Sequence, residues 1–229
     1  MLVLGFPAGP LQANCYLLAA ADGAECVIVD PGQEAVAALD EQLREHSLTP
    51  AGVLLTHGHF DHVFSAGEVC AAHGVPAWIH PDDAYMLTDP AASLGPQGEE
   101  LFAALPPLTA PEDVRELSDG QVVELAGLRF EVTHSPGHTG GSVLFGLGTE
   151  EGGRLVLAGD TLFAGAIGRT DLPGGDHATM QRTLRERVLP LADDTVVLPG
   201  HGPTTTIGRE RASNPFLLEL TAPAAGRDS

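Results

Sequence analysis

Positive charge is scarce in this sequence: 11 lysine and arginine residues stand against 31 aspartates and glutamates, a formal net charge of -20. Proteins hold nucleic acid with cations that displace phosphate counterions, so this balance argues against a polyanionic partner. Acidity by itself names no substrate. Cysteine is scarce too. Cys15, Cys26 and Cys70 are odd in number, lack CxxC spacing and have apolar neighbours. They read as buried free thiols in a reducing compartment, not as a disulfide framework. No segment nears the roughly 20 uninterrupted apolar residues of a membrane span. "MLVLGFPAGP" has neither the basic n-region nor the apolar h-region of a secretory signal. The expectation is a cytoplasmic protein with no membrane contact. Aromatic residues make up only 5% of the chain, so its core must be mostly aliphatic.

The 229 residues, 43% hydrophobic and 18% charged, suffice for a folded chain with a sizeable core. "MLVLGF", "NCYLLAA" and "ECVIVDPG" read as strands, and 33–46 as a helix with Val36, Leu39 and Leu43 on one face. "AGVLLTH" is a buried strand. "HVFSAGEVCAAHG" reads as one helix closed by Gly74, and "PAWIH" as a strand. Residues 81–112 have no clean period and read as a surface excursion with a short helix or two. "QVVELAGLRFEVTHS" is a hairpin turning at Ala126-Gly127, and "GSVLFGLG" and "GRLVLAGD" are further strands. "ATMQRTLRERVLPL" is helical, and "DTVVLPGHG" is a strand ending in a polar turn. This order puts sheets in the middle and helices outside. No repeat or linker divides the chain, so 1–229 is expected to be one domain with a short tail from about 208 to 229.

Four separated places share one pattern: an apolar strand, then a metal-competent residue in a glycine-rich turn. They are "LLTHGHFDH" with His57, His59, Asp61 and His62, "VTHSPGHTGGS" with His138, "LVLAGDTLF" with Asp160, and "VVLPGHG" with His201. Imidazole and carboxylate are ligands for zinc, iron and manganese. Chance would place an HxHxDH string in roughly one such chain per thousand. Crowded histidines repel if charged and desolvate badly if buried. Either the stretch is a solvated polar loop, or a cation sits among them.

These motifs resemble the metallo-β-lactamase-fold hydrolases, nearly over the whole chain and in the same order. "GDTLF", "GRTD" and "TIGRERASNPF" look most like the glyoxalase II group, the hydroxyacylglutathione hydrolases, and its small bacterial members. The resemblance implies an α/β fold: a four-layer αβ/βα sandwich of two mixed β-sheets flanked by helices. It implies two divalent metal ions per chain, zinc first, with iron or manganese as alternatives. His57, His59 and His138 would hold one, Asp61, His62 and His201 the other, and Asp160 would bridge them. A hydroxide bridging the metals would then attack a thioester such as S-lactoylglutathione, with Asp61 orienting it or relaying its proton.

Around these positions, Asp30 in "VDPG" either orients a ligand histidine or caps a turn. His134 is a supporting or structural residue. Arg169 in "GRTD" either pairs a substrate carboxylate or braces its loop against Asp171 or Asp176, bracing being placed first. Phe163 either lines a substrate pocket or packs in the core. His46, His73, His80 and His177, with Arg209 and Arg211 near the tail, read as surface residues. The full-length glyoxalase II pattern continues into a helical domain that grips glutathione; only 28 residues follow His201 here. The alternatives are a mononuclear-iron persulfide dioxygenase using His57, His138 and Asp160, and a non-catalytic metal-binding member of the fold. Monomer and homodimer both stay open.

Overall fold

The computed structural model describes residues 1–103, 105, 107–149 and 152–221. Among them, strands β1 (Leu2–Ala8), β2 (Ala13–Ala19), β3 (Glu25–Val29), β4 (Thr49–Leu54), β5 (Ala77–Ile79) and β6 (Val114–Glu116) form one sheet in that order. β1, β2 and β3 pair antiparallel, and the pairs from β3 to β6 are parallel. The second sheet runs β12-β11-β10-β9-β8-β7, comprising β7 (Val122–Leu125), β8 (Leu128–His134), β9 (Val143–Gly148), β10 (Arg154–Gly159), β11 (Val196–Pro199) and β12 (Thr205–Thr206). Only β10 and β11 pair in parallel there.

Alternation along the strands builds three cores, because successive side chains point to opposite faces. Leu18, Val27, Val29, Leu54 and Trp78 of the first sheet meet Phe130, Val132, Phe145, Leu155 and Leu157 of the second. The neighbouring residues Leu17, Ile28 and Val53 point outward, to Leu39 and Leu43 of helix α1 (Val36–Glu45) and Val69 of α3 (Ala66–His73). On the far side, Leu144, Val156 and Val197 pack on Met180 of α5 (His177–Thr183) and on Leu184 and Val188 in the π-helical segment continuing it. Both faces of both sheets are therefore covered, which explains continuous apolar strands such as "VLFGLG". Helix, sheet, sheet, helix is the expected four-layer order. The hairpin turns where expected, with Ala126 and Gly127 both at positive φ.

Three expectations are corrected. The helix expected over 62–74 is two: α2 (Phe60–Val63) and α3, which ends as expected on left-handed Gly74. They separate at Ser65, whose N–H donates to Pro31 O (3.0 Å) and whose hydroxyl donates to Gly32 O (2.7 Å). Within 81–112, two 3₁₀ helices (Pro81–Leu87 and Pro90–Gln97) run into α4 (Gly98–Ala103). The expected tail holds two packed helices, α6 (Ile207–Ser213) and α7 (Pro215–Thr221), with Ile207 and Leu217 in the outer core. Arg211 is engaged there: it donates to Leu189 O and Leu191 O and pairs with Asp193. Residues 222–229 of the expected tail lie outside the described residues. No helix among the described residues is long and apolar enough to cross a membrane.

Candidate metal centre

The four polar turns follow β4, β8, β10 and β11, and they meet at one end of the sandwich. Loops after strands can aim side chains while the sheets hold their bases rigid. His57, His59, His62 and His138 are buried. The His59 and His138 rings stand perpendicular with centroids 4.5 Å apart, and His57 lies 4.8 Å from His138. One nitrogen each of His57, His59 and His138 falls within 4.8 Å of the others, and Asp61, His62 and His201 form a second such group. His201 Nε2 is 3.2 Å from Asp61 Oδ2 and 3.3 Å from His62 Nε2. Asp160 stands between the groups: its Oδ1 is 3.3 Å from His62 Nε2, and its Oδ2 is 3.5 Å from His138 Nε2 and 3.6 Å from His201 Nε2. All seven expected residues thus come together.

The surrounding hydrogen bonds fix which nitrogen each ring presents. His138 Nδ1–H donates to Arg169 O (2.7 Å). His62 Nδ1–H donates to Asp30 Oδ2 (3.0 Å). Thr56 Oγ–H donates to the same oxygen (2.6 Å), so that hydroxyl can only accept from His57 Nδ1–H (3.1 Å). In each case Nδ1 carries a proton and Nε2 is the nitrogen that faces inward, with a free lone pair whenever the ring is neutral. The Nε2 atoms of His57, His59 and His138 and Oδ1 of Asp160 are buried without a hydrogen-bond partner. Each such group costs about 1–3 kcal/mol if left unsatisfied. Divalent cations would satisfy them, and five imidazoles with two carboxylates suit zinc, iron or manganese. The donor set fits.

Electrostatics agree. Burial, reinforced by neighbouring histidines, pushes His57 far below the usual imidazole range and His59 down to about 3, keeping both lone pairs free. Burial would also depress His62, but Asp160 and Asp61 outweigh it and raise that imidazole. Burial would raise Asp160, but His62, with His138 and His201, outweighs it and holds the carboxyl below its usual range.

Asp30 is buried and positions the His62 ring, taking Thr56 N–H (2.8 Å) besides Thr56 Oγ–H and His62 Nδ1–H. Its φ of 51° is left-handed, tolerated by Asp more readily than by most residues. Asp83, in the "HPDD" run after β5, is a supporting residue that sequence reasoning missed. Fully buried, it accepts from Gly58 N (2.9 Å), Thr139 Oγ (2.6 Å) and Gly141 N (2.7 Å), tying the His57–His59 turn to the His138 turn. A Cβ at Gly200 would collide with Asp160 Oδ1 and the His62 ring, so glycine is required for the close approach. His134 makes no ligand contact in this cluster: it stacks on His80 (4.2 Å) and donates from Nε2 to Gly140 O (2.8 Å), bracing the His138 turn from behind. His80 is accordingly half-buried, not the surface residue expected.

Of the two readings of Phe163, the structure places it at a cavity wall and not in the core. Its ring lies 5.9 Å from that of His201 and lines a cavity of about 280 Å³ over the cluster, with Leu11, Leu94, Leu172 and Arg169. Asn214, between α6 and α7, holds this wall by donating to Ala166 O (3.1 Å) and Phe163 O (3.4 Å). Arg169 braces as expected, with Nε and a terminal nitrogen on Asp171 Oδ1 and Oδ2 (2.7 and 2.8 Å).

The sequence profile of the metallo-beta-lactamase superfamily matches residues 8–201, from β1 to the last histidine of the cluster. The chain belongs to that superfamily. Within the metallo-β-lactamase superfamily it is 39% identical over 212 residues to the hydroxyacylglutathione hydrolase GloC of Haemophilus influenzae, covering 92% of this chain and 95% of the relative. Among solved structures, BLEG-1, a B3 metallo-beta-lactamase, superposes with a TM-score of 0.82 at 36% identity, covering 94% of this chain and 99% of the other. TTHA1623 in a di-iron-bound form superposes at 0.79 with 37% identity, covering 93% and 100%. The fold, the family and a His/Asp cluster able to hold two metals are thus common ground between this metallo-β-lactamase superfamily member and enzymes that are largely hydrolases.

Proposed function

We propose that this protein hydrolyses an acyl thioester of the S-lactoylglutathione type, at a site holding two divalent cations, in the cytoplasm. One observation carries the reading: seven side chains from four strand ends converge, with buried Nε2 atoms left unpaired and aimed inward. His57, His59 and His138 would hold one cation, Asp61, His62 and His201 the second, and Asp160 would touch both. Zinc is the first expectation; iron and manganese suit the same donors, and the di-iron form of TTHA1623 supports keeping iron. Bound cations would supply Lewis acidity toward a carbonyl oxygen and lower the pKa of water from 15.7 to about 7.

The chain's own groups do the rest. No serine, cysteine or threonine lines the cavity among the described residues, so water is left as the nucleophile. Asp61, beside His201 on the cavity wall, orients that water and takes its proton. Leu11, Leu94, Phe163 and Leu172 exclude bulk water from the acyl group. Three free buried cysteines support a reducing compartment. The likeness to GloC supports the thioester. Chelation should abolish turnover of S-lactoylglutathione, and zinc, iron or manganese should restore it; full activity in metal-free protein would end the reading. Oxygen uptake with glutathione persulfide and one iron per chain would replace it with the dioxygenase. Hydrolysis of a β-lactam in preference to the thioester would replace it with BLEG-1-like chemistry.

A further inference from the structure

With the acyl group over the His/Asp cluster, the thiol half of a thioester would extend along the apolar side of the cavity lining. Leu11 is 52% exposed at its rim, and Leu94, Phe163 and Leu172 continue the apolar surface inward. All 11 basic residues of the chain are arginines, and among the described residues Arg169 alone of them lines the cavity. Its guanidinium is occupied by Asp171 through two parallel hydrogen bonds, the geometry in which a substrate carboxylate would otherwise be bound. Asp171 cancels the local positive charge, and the surrounding protein carries -20. A thiol of net negative charge, as glutathione is with two carboxylates against one ammonium, therefore meets no free side-chain cation among the described residues lining the cavity and must approach against the field of the chain. An uncharged thiol loses nothing and gains contact with Leu11 and Leu172.

Resting on the thioester reading above, we propose that the site takes thioesters whose thiol half is uncharged, and that Asp171 sets this preference by occupying Arg169. Asp171 is a positioning residue acting through Arg169. Both side chains of the pair are more than half exposed, so the effect on selectivity is moderate and screened by salt.

The test compares metal-loaded wild type, Asp171→Asn and Asp171→Glu on S-lactoylglutathione and on the neutral S-lactoyl-N-acetylcysteamine. In wild type, kcat/KM for the neutral thioester should exceed that for the glutathione thioester by about threefold or more at low salt, with the gap closing at high salt. Asp171→Asn should shift the ratio of the two toward glutathione by about three- to tenfold, and Asp171→Glu should keep the wild-type ratio. A merely structural role would lower both activities together and leave the ratio alone. Preference for glutathione in wild type, or an unmoved ratio in Asp171→Asn, overturns the proposal while leaving thioester hydrolysis standing. Cleavage of neither thioester overturns both.

Discussion

Replacing Asp83 with alanine removes an acceptor that serves three donors on two turns, Gly58 N, Thr139 Oγ and Gly141 N. Hydrogen bonds to a charged acceptor contribute about 1.5–3 kcal/mol each. Part of that is offset, because burial raises the pKa of Asp83 and the variant no longer desolvates a carboxylate. A net loss of about 3 kcal/mol remains, which lowers Tm by about 6–12 °C in a chain of this length. The turns concerned carry His57, His59 and His138, so the metal-loaded protein should lose more than the metal-free one. Thermal unfolding of both forms, with elemental analysis of the loaded variant, measures the difference. Asp83→Asn separates charge from shape: its NH2 must face an N–H or O–H donor, so it should not restore metal retention. If Asp83→Ala melts within about 2 °C of wild type and keeps its metals, the clamp is not what aligns the two turns.

Asp30→Asn should weaken metal binding about 10–100-fold in a chelator competition, because its single amide oxygen cannot serve both Thr56 N–H on one side and Thr56 Oγ–H with His62 Nδ1–H on the other; unchanged affinity would make Asp30 a turn residue. Without a cation, Asp160 and Asp61 raise the pKa of His62 and so favour its protonated form, whose extra proton loading must expel. Metal titration in weak buffer should therefore acidify the solution, and apparent affinity should fall as pH drops. In the metal-free protein the same shift adds stability at low pH, lost as pH rises through the raised value. Loading without proton release would refute this assignment. Gly200→Ala should abolish metal uptake at the second group, since its Cβ collides with Asp160 and His62; a loaded, active variant would show that the turn relaxes at no cost.

The candidate metal ligands were legible because each is announced locally, by an apolar strand leading into a glycine-containing turn with a histidine or aspartate. Asp83 also follows a strand, β5, but no glycine marks it; "HPDD" offers two adjacent carboxylates, and only tertiary contact with Thr139 and Gly141 distinguishes them. Thr56 was silent for a similar reason, its part being defined by Asp30, 26 positions away. The break between α2 and α3 was hidden because Ser65 turns to Pro31 and Gly32 instead of continuing a helix whose pattern is unbroken. Residues 207–221 looked like a tail because helices of seven residues have little periodicity to read, and their order comes from Ile207 and Leu217 packing in the outer core and from Asn214 bonding to the Phe163–Ala166 loop.

The account stands on two cations sharing Asp160. Anomalous diffraction at the metal edge, from crystals of the loaded protein, locates them directly. It should give two peaks, one among His57, His59 and His138 and one among Asp61, His62 and His201, each within reach of Asp160. A single peak, or density away from these side chains, would contradict it.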